Sequence, residues 1–219
     1  MKNKFLNIIK AICITLGFLI LDSFIVSYLE YKGLNSMLSM VIAAIFLSVI
    51  LIIIFYKELK RSFKEMHGKW LKNFIKYLKY FFVAYFIQIF LNMIIFMIVG
   101  SDSSNDSTVQ QLLLTYPITS IIDTCILAPF YEEIIWRLNF KNLFKNKYVF
   151  AITTGIIFGS MHLLSASSPL ELLYIFPYST MGIMLGLVFY DENNIFNSMM
   201  LHAFNNTVAV ALVFIGNTL

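Results

Sequence analysis

Apolar runs long enough to cross a bilayer recur from one end of this chain to the other. The run LSVILIIIF at 47–55 is the plainest of them. Inside lipid a backbone must satisfy its own hydrogen bonds, so only helices and closed barrels span a membrane. A barrel shows short segments of alternating hydrophobicity, and this chain shows long continuous ones. Composition agrees. The 219 residues are 59% hydrophobic and only 13% charged, about half the charged share of a soluble domain. The expectation is an all-α, polytopic integral membrane helical bundle of about seven transmembrane helices. The cysteines, Cys13 and Cys125, lie in apolar segments and read as buried small residues, not as a disulfide framework or metal motif.

Taken in order, the spans fall at about 5–29, 36–56, 73–99, 110–140, 148–164, 170–190 and 195–217. The first is long and lacks a small-residue cleavage site, so it is read as a span and not a cleavable signal. Between the second and third lies KELKRSFKEMHGKWLK, with Leu59, Phe63, Met66 and Trp70 at helical spacing. It reads as a loop helix resting on headgroups. The N-terminus, 57–72 and 141–147 are basic, whereas SDSSNDST at 101–108 is acidic. Seven spans with a cytoplasmic N-terminus satisfy the positive-inside rule at all four. The DENN turn at 191–194 then falls inside without positive charge, a mild mismatch. The net charge of +4 sits in loops, where it reports topology and not nucleic-acid binding. Residues 1–109 are expected to form the N-terminal spans with the basic loop, and 110–219 the core that carries the chemistry.

That core holds YEEIIWR at 131–137. Ionisable groups inside a span are costly, face the bundle interior or water, and point to a functional site. Glu133 and Arg137 are four apart and meet on one helix face. Glu132 is rotated by roughly 100° from Glu133. One carboxylate is therefore neutralised by Arg137 while its neighbour stays free. Pro129, one turn upstream, removes a backbone donor, leaves a carbonyl without its usual partner and can bend the helix there. Asp22 and Asp123 are expected to be packing or water-facing polar residues.

Of three histidines, His67 lies in the basic loop. His162, in FGSMH, and His202, in LHAFNN, lie in apolar segments on separate helices. His202 and Asn206 share a helix face, so the amide can bond the imidazole or hold a substrate carbonyl. Two imidazoles and a carboxylate can activate water as zinc ligands or as a general base oriented by histidines. An amide and an imidazole can stabilise an oxyanion. Each group also has a plainer reading. A lone intramembrane histidine is often an interhelical hydrogen bonder, paired carboxylates can relay protons in a transporter, and Glu133–Arg137 can be a structural pair.

Glu-Glu-x-x-x-Arg, Phe-x-x-x-His and His-x-x-x-Asn stand here as EEIIWR, FGSMH and HAFNN, in that order on successive membrane segments. The pattern resembles the CPBP family of intramembrane proteases, which includes the CAAX prenyl endopeptidases and bacteriocin-processing and immunity proteins. The resemblance covers about 115–210. It implies an endopeptidase in which Glu132 activates water, His162 and His202 hold that water or a metal, Asn206 helps stabilise the oxyanion, and Glu133 with Arg137 order the site. A zinc ion, if bound, is expected on Glu132, His162 and His202, although no compact HExxH motif exists. The expected partners are membrane lipid and a peptide or protein substrate of leader, pheromone or bacteriocin type, not nucleic acid. The expected location is a bacterial plasma membrane. The competing reading is a non-enzymatic immunity or scaffold protein of the same fold. A proton-coupled transporter ranks below both, because no internal repeat is evident. One geometric tension remains. Counted at 1.5 Å per residue from the inner ends of their spans, Glu132 lies ~12 Å deep, His202 ~10 Å and His162 ~20 Å.

Overall fold

The computed structural model describes residues 2–217. The chain enters as α1 (Lys2–Tyr31), α2 (Ser36–Ile54), α3 (Tyr56–Met66), α4 (Trp70–Val99) and α5 (Ser104–Thr115). It is punctuated by residues suited to helix ends. Asn35 Oδ1 accepts from the Leu38 amide at 2.9 Å and caps α2. Gly100, at φ +83°, ends α4 in the left-handed conformation. Among the described residues there is no strand. The helices Phe5–Tyr31, Ser36–Ile54, Trp70–Val99, Pro169–Glu192 and Ile195–Gly216 are long and apolar enough to cross a membrane. The protein is a multi-pass helical membrane protein.

The other two expected spans are built differently. The continuous fourth span expected over 110–140 is broken at Tyr116, which has φ −132° and ψ 62° because Pro117 follows it. From Pro117 the helix runs on through α6 (Pro117–Ile122), a π-helical turn (Asp123–Leu127), α7 (Ala128–Glu133) and a second π-helical turn (Ile134–Leu138). The expected fifth span is α8 (Lys147–Met161), whose 15 residues reach only about 22 Å, short of the ~30 Å hydrocarbon core. It stops at His162. A 3-10 turn (Pro169–Tyr174) leads into α9 (Ile175–Glu192), and α10 (Ile195–Gly216) closes the bundle.

One core joins early and late parts of the chain. Leu51 and Phe55 from the α2 end pack with Ile134, Ile135 and Trp136, with Phe150 and Phe158 of α8, and with Phe189 and Met199. A second cluster seats Tyr77 and Phe81 of α4 against Met181, Leu185 and Leu201. Large apolar side chains on the far faces of α1 and α4, such as Ile20, Phe24, Phe86 and Met97, are exposed, as suits a lipid-facing surface.

The two ends of the bundle differ in charge. Arg61 Nη2 donates to the Asn193 carbonyl at 2.8 Å, and Asn194 Nδ2 donates to the Ser62 carbonyl at 2.9 Å. Lys76 pairs with Asp191 at 2.9 Å and Glu192 at 2.7 Å. Tyr190 donates to the Lys145 carbonyl at 2.7 Å, and Asn139 Nδ2 to the Ala11 carbonyl at 3.0 Å. The start of α1, the basic segment after α2, the 141–147 loop and the DENN turn therefore share one end. The acidic turn does not lack positive charge; Lys76, from the head of α4, supplies it. The 101–108 segment lies at the other end, bound to 167–178.

The closest helix contact is α8 on α9. A Cβ on Gly155 would stand 2.6 Å from the Ile183 amide nitrogen, and one on Gly182 would stand 2.9 Å from the Gly155 Cα. Such contacts need glycine at both positions. Gly155→Ala is expected to lower the stability of the protein in detergent by about 1–3 kcal/mol through overpacking. Gly17→Ala, whose Cβ would meet nothing within 4 Å, should leave it unchanged. Thermal unfolding of the two variants beside wild type reads the difference.

Candidate functional site

The site begins with a backbone defect. In the first π-helical turn the Ala128 amide bonds the Asp123 carbonyl, five residues back. The next donor in that register would serve Thr124, but it belongs to Pro129, which has none. Asn206 Nδ2, from α10, donates to the Thr124 carbonyl instead, at 2.8 Å. The carbonyl that proline leaves bare is thus satisfied from a neighbouring helix, as membrane helices require. Asn206 does not bond the imidazole four residues away; its Oδ1 accepts from Asn205 Nδ2 at 3.2 Å.

Between the two π turns, α7 presents the glutamates. Glu133 and Arg137 are fully buried, and Glu133 Oε2 lies 3.4 Å from Arg137 Nε. Arg137 Nη2 donates to the Gly182 carbonyl at 3.0 Å, and its guanidinium stacks over the Phe158 ring at 4.8 Å. Glu133 does more than neutralise the arginine. Its Oε1 lies 3.1 Å from His202 Nδ1. A carboxylate can only accept, so Nδ1 carries a proton. The other ring nitrogen, Nε2, lies 3.8 Å from Glu132 Oε2 in either protonation state of the ring. Glu132 is one-fifth exposed, and its Oε2 is buried without a hydrogen-bond partner. One carboxylate is tied into an Arg–Glu–His chain and its neighbour is left free, the division expected from the 100° rotation between them.

His162 is held apart from this chain. Its Nδ1 lies 3.0 Å from the Phe158 carbonyl. A carbonyl is an acceptor, so Nδ1 again carries the proton and Nε2 is bare. The ring packs against Phe158, at 4.6 Å, and Tyr178, at 4.7 Å. Phe158 also meets the His202 ring edge-on at 5.6 Å. His162, His202 and Arg137 thus converge on one aromatic ring without bonding one another. Among the described residues no group of three or more His, Cys, Asp or Glu side chains is arranged to hold a metal ion. The trio expected to share zinc, Glu132, His162 and His202, is not gathered into one, and no step below is routed through a metal.

Several contributors were not foreseen: the Gly182 carbonyl, the Thr124 carbonyl, Tyr178 and the Glu133–His202 bond. Phe158 lay in view inside FGSMH, but only as part of the pattern. A groove of about 630 Å³ flanks the site, lined by Ile45, Val49, Cys125, Phe130, Met199 and Ala203 among others.

Fold and site together define a multi-pass membrane protein with a buried Arg–Glu–His network beside an unengaged glutamate. Residues 114–208, rather less than half of the chain, match the family described as type II CAAX prenyl endopeptidase Rce1-like. The matched segment holds all three motifs, and the match agrees with their resemblance to the CPBP family. A protein of Mycoplasma capricolum described as an uncharacterized protein is 30% identical over 99 residues, which are 45% of this chain and 28% of the relative. UPF0177 protein YaiH of Lactococcus lactis is 24% identical over 100 residues, which are 46% of this chain and 40% of YaiH. The match spans well under half the length of these curated relatives. No solved structure matches the chain.

Asn206→Ala is expected to destabilise the protein by about 1–3 kcal/mol, the cost of a buried carbonyl left unpaired. Pro129→Ala restores a backbone donor to Thr124. In the double variant the Asn206→Ala loss should shrink by at least 0.5 kcal/mol, the least that counts as coupling between contacting sites. Unfolding of the two single variants and the double one measures it.

Proposed function

We propose that this chain is an intramembrane endopeptidase that hydrolyses peptide bonds near the bilayer. The observation that carries the proposal is Glu132 Oε2, buried, without a hydrogen-bond partner and 3.8 Å from Nε2 of a histidine that Glu133 orients. An unpaired carboxylate at membrane depth is costly for a scaffold and is what a general base needs.

In this mechanism a water placed between Glu132 and His202 gives a proton to Glu132 as its oxygen attacks the scissile carbonyl carbon. The carbonyl π pair moves to oxygen and forms the oxyanion. The Asn206 amide has two N–H bonds, one engaged by Thr124 and the other left to donate to that oxyanion. Glu132 then returns the proton to the leaving nitrogen as the C–N bond breaks. Glu133 holds the His202 tautomer, and Arg137 holds Glu133. His162 Nε2, which is bare, accepts from the water or from a substrate amide.

The basic end, which carries the N-terminus, faces the cytoplasm in this proposal. The curated relatives come from bacteria, which supports a bacterial plasma membrane; the substrates in this reading are of leader, pheromone or bacteriocin type. Cleavage of a membrane-presented reporter peptide tests the reading. Wild type is expected to cleave, and Glu132→Gln and His202→Ala are each expected to lose at least 10²-fold, the scale of general-base catalysis. Cleavage unaffected by a chelator supports glutamate-activated water, and loss with the chelator means a metal takes part. No cleavage by wild type, with Glu132→Gln still protecting cells from a bacteriocin, would establish the immunity or scaffold reading instead.

A further inference from the structure

The polar segment 101–108 has no part in the mechanism above, yet it is tied to the site through one residue. Tyr178 donates its hydroxyl proton to Asp106 Oδ1 at 2.8 Å. The Tyr178 hydroxyl oxygen also meets Ser103 Oγ at 2.6 Å and accepts from Asn105 Nδ2 at 3.3 Å. Ser103 Oγ in turn accepts from the Asp106 amide at 3.0 Å and caps α5. Three side chains of one segment thus converge on one phenol.

The segment is itself fastened. Glu171 accepts from the Ser104 amide at 2.9 Å and from the Ser167 hydroxyl at 2.5 Å. Tyr174 donates to the Ser101 carbonyl at 2.6 Å. Burial pushes the Asp106 carboxyl up from its ordinary range, while the Tyr178 bond pulls it down. This is a rigid cap and not a solvated loop.

The other end of Tyr178 is its ring, which lies on His162 at 4.7 Å with 29° between the planes. Phe158 also meets the imidazole, at 4.6 Å and 46°, and supplies the carbonyl that holds Nδ1. The imidazole therefore cannot turn about its Cβ–Cγ bond without displacing one ring or the other.

We propose that Tyr178 is a positioning residue for His162, clamped by Ser103 and Asp106 so that the bare Nε2 keeps one direction into the site. The inference rests on the hydrolytic reading for its consequence in rate, but its geometric claim stands without that reading. The clamp links the cap, an end of the molecule far from the glutamates in sequence, to the geometry of the reacting groups.

The test compares Tyr178→Phe, Tyr178→Leu and Asp106→Asn with wild type in detergent or nanodiscs. Two readouts are used: reporter-peptide kinetics, and NMR of ¹⁵N-histidine-labelled protein with His162 assigned by His162→Gln. Tyr178→Phe keeps the ring and frees it from the clamp, whereas Tyr178→Leu removes the ring. The proposal expects kcat to fall by up to ~10²-fold in Tyr178→Leu and less in the other two, with KM within about twofold, because misplacement acts on the chemical step. It also expects the His162 ring signals to shift in all three while those of His67 stay fixed. Should Tyr178→Leu fail to fold, Tyr178→Phe and Asp106→Asn carry the test. Unchanged His162 signals and unchanged kcat in the folded variants would overturn the proposal. A fall in thermal stability with kcat preserved would also overturn it, since it would mean the clamp only holds the fold. If wild type cleaves nothing, the hydrolytic reading fails, and the His162 signals alone decide whether Tyr178 positions the ring.

Discussion

A guanidinium shut away from water at the centre of a helical bundle is tolerable only with a counter-charge close by. Arg137 has three of different kinds: the Glu133 carboxylate, the Gly182 carbonyl and the face of Phe158. Each comes from a different element, so the arginine draws α7, α8 and α9 together. The Gly182 carbonyl can come this close because α8 and α9 meet at glycines, without a Cβ between them. The pair also settles the identity of the free group. Once Glu133 is committed to Arg137 and His202, Glu132 is the one acid of the motif left unengaged.

The rest of the site follows from an irregular helix. A regular α-helix over 117–138 would give Pro129 one missing donor and no compensation. The π turns on either side of α7 change which residues face the interior, and such turns recur at functional sites. The Thr124 carbonyl is covered by Asn206, and the same helix, α10, supplies His202 one turn earlier. A single helix thus repairs the defect and completes the polar chain, which fixes the axial register of α10 against the broken helix.

Much of this was legible in the sequence where the controlling interaction is local. Glu133 and Arg137 are four apart, so their pairing needs no knowledge of the fold. Pro129 announces an unpaired carbonyl by its chemistry alone. Lysine and arginine placement marked which loops share an end, and Lys76 removes the difficulty at the DENN turn. Pro117 carried a legible signal too, since a residue before proline avoids the helical region; the break at Tyr116 needed only that. What could not be read depends on which helices are neighbours. The Glu133–His202 bond joins residues 69 positions apart, and the Tyr178 stack joins two different helical elements. That Thr124, five back, and not Cys125, four back, loses its donor depends on a π register no residue pattern declares. The end of α8 at His162 could be guessed from the sequence, but only packing shows Phe158 touching both imidazoles.

The account turns on a division of labour between adjacent carboxylates, and the most direct test measures stability and not rate. Thermal unfolding in detergent of Glu132→Gln and Glu133→Gln, which are isosteric changes, separates the two roles. Glu133→Gln strips Arg137 of its counter-charge and is predicted to cost about 3–5 kcal/mol. Glu132→Gln removes a charge that no arginine balances and is predicted to leave stability equal to wild type or above it. The reverse order, or equal losses in both, would contradict the assignment of Glu133 to the framework and Glu132 to chemistry.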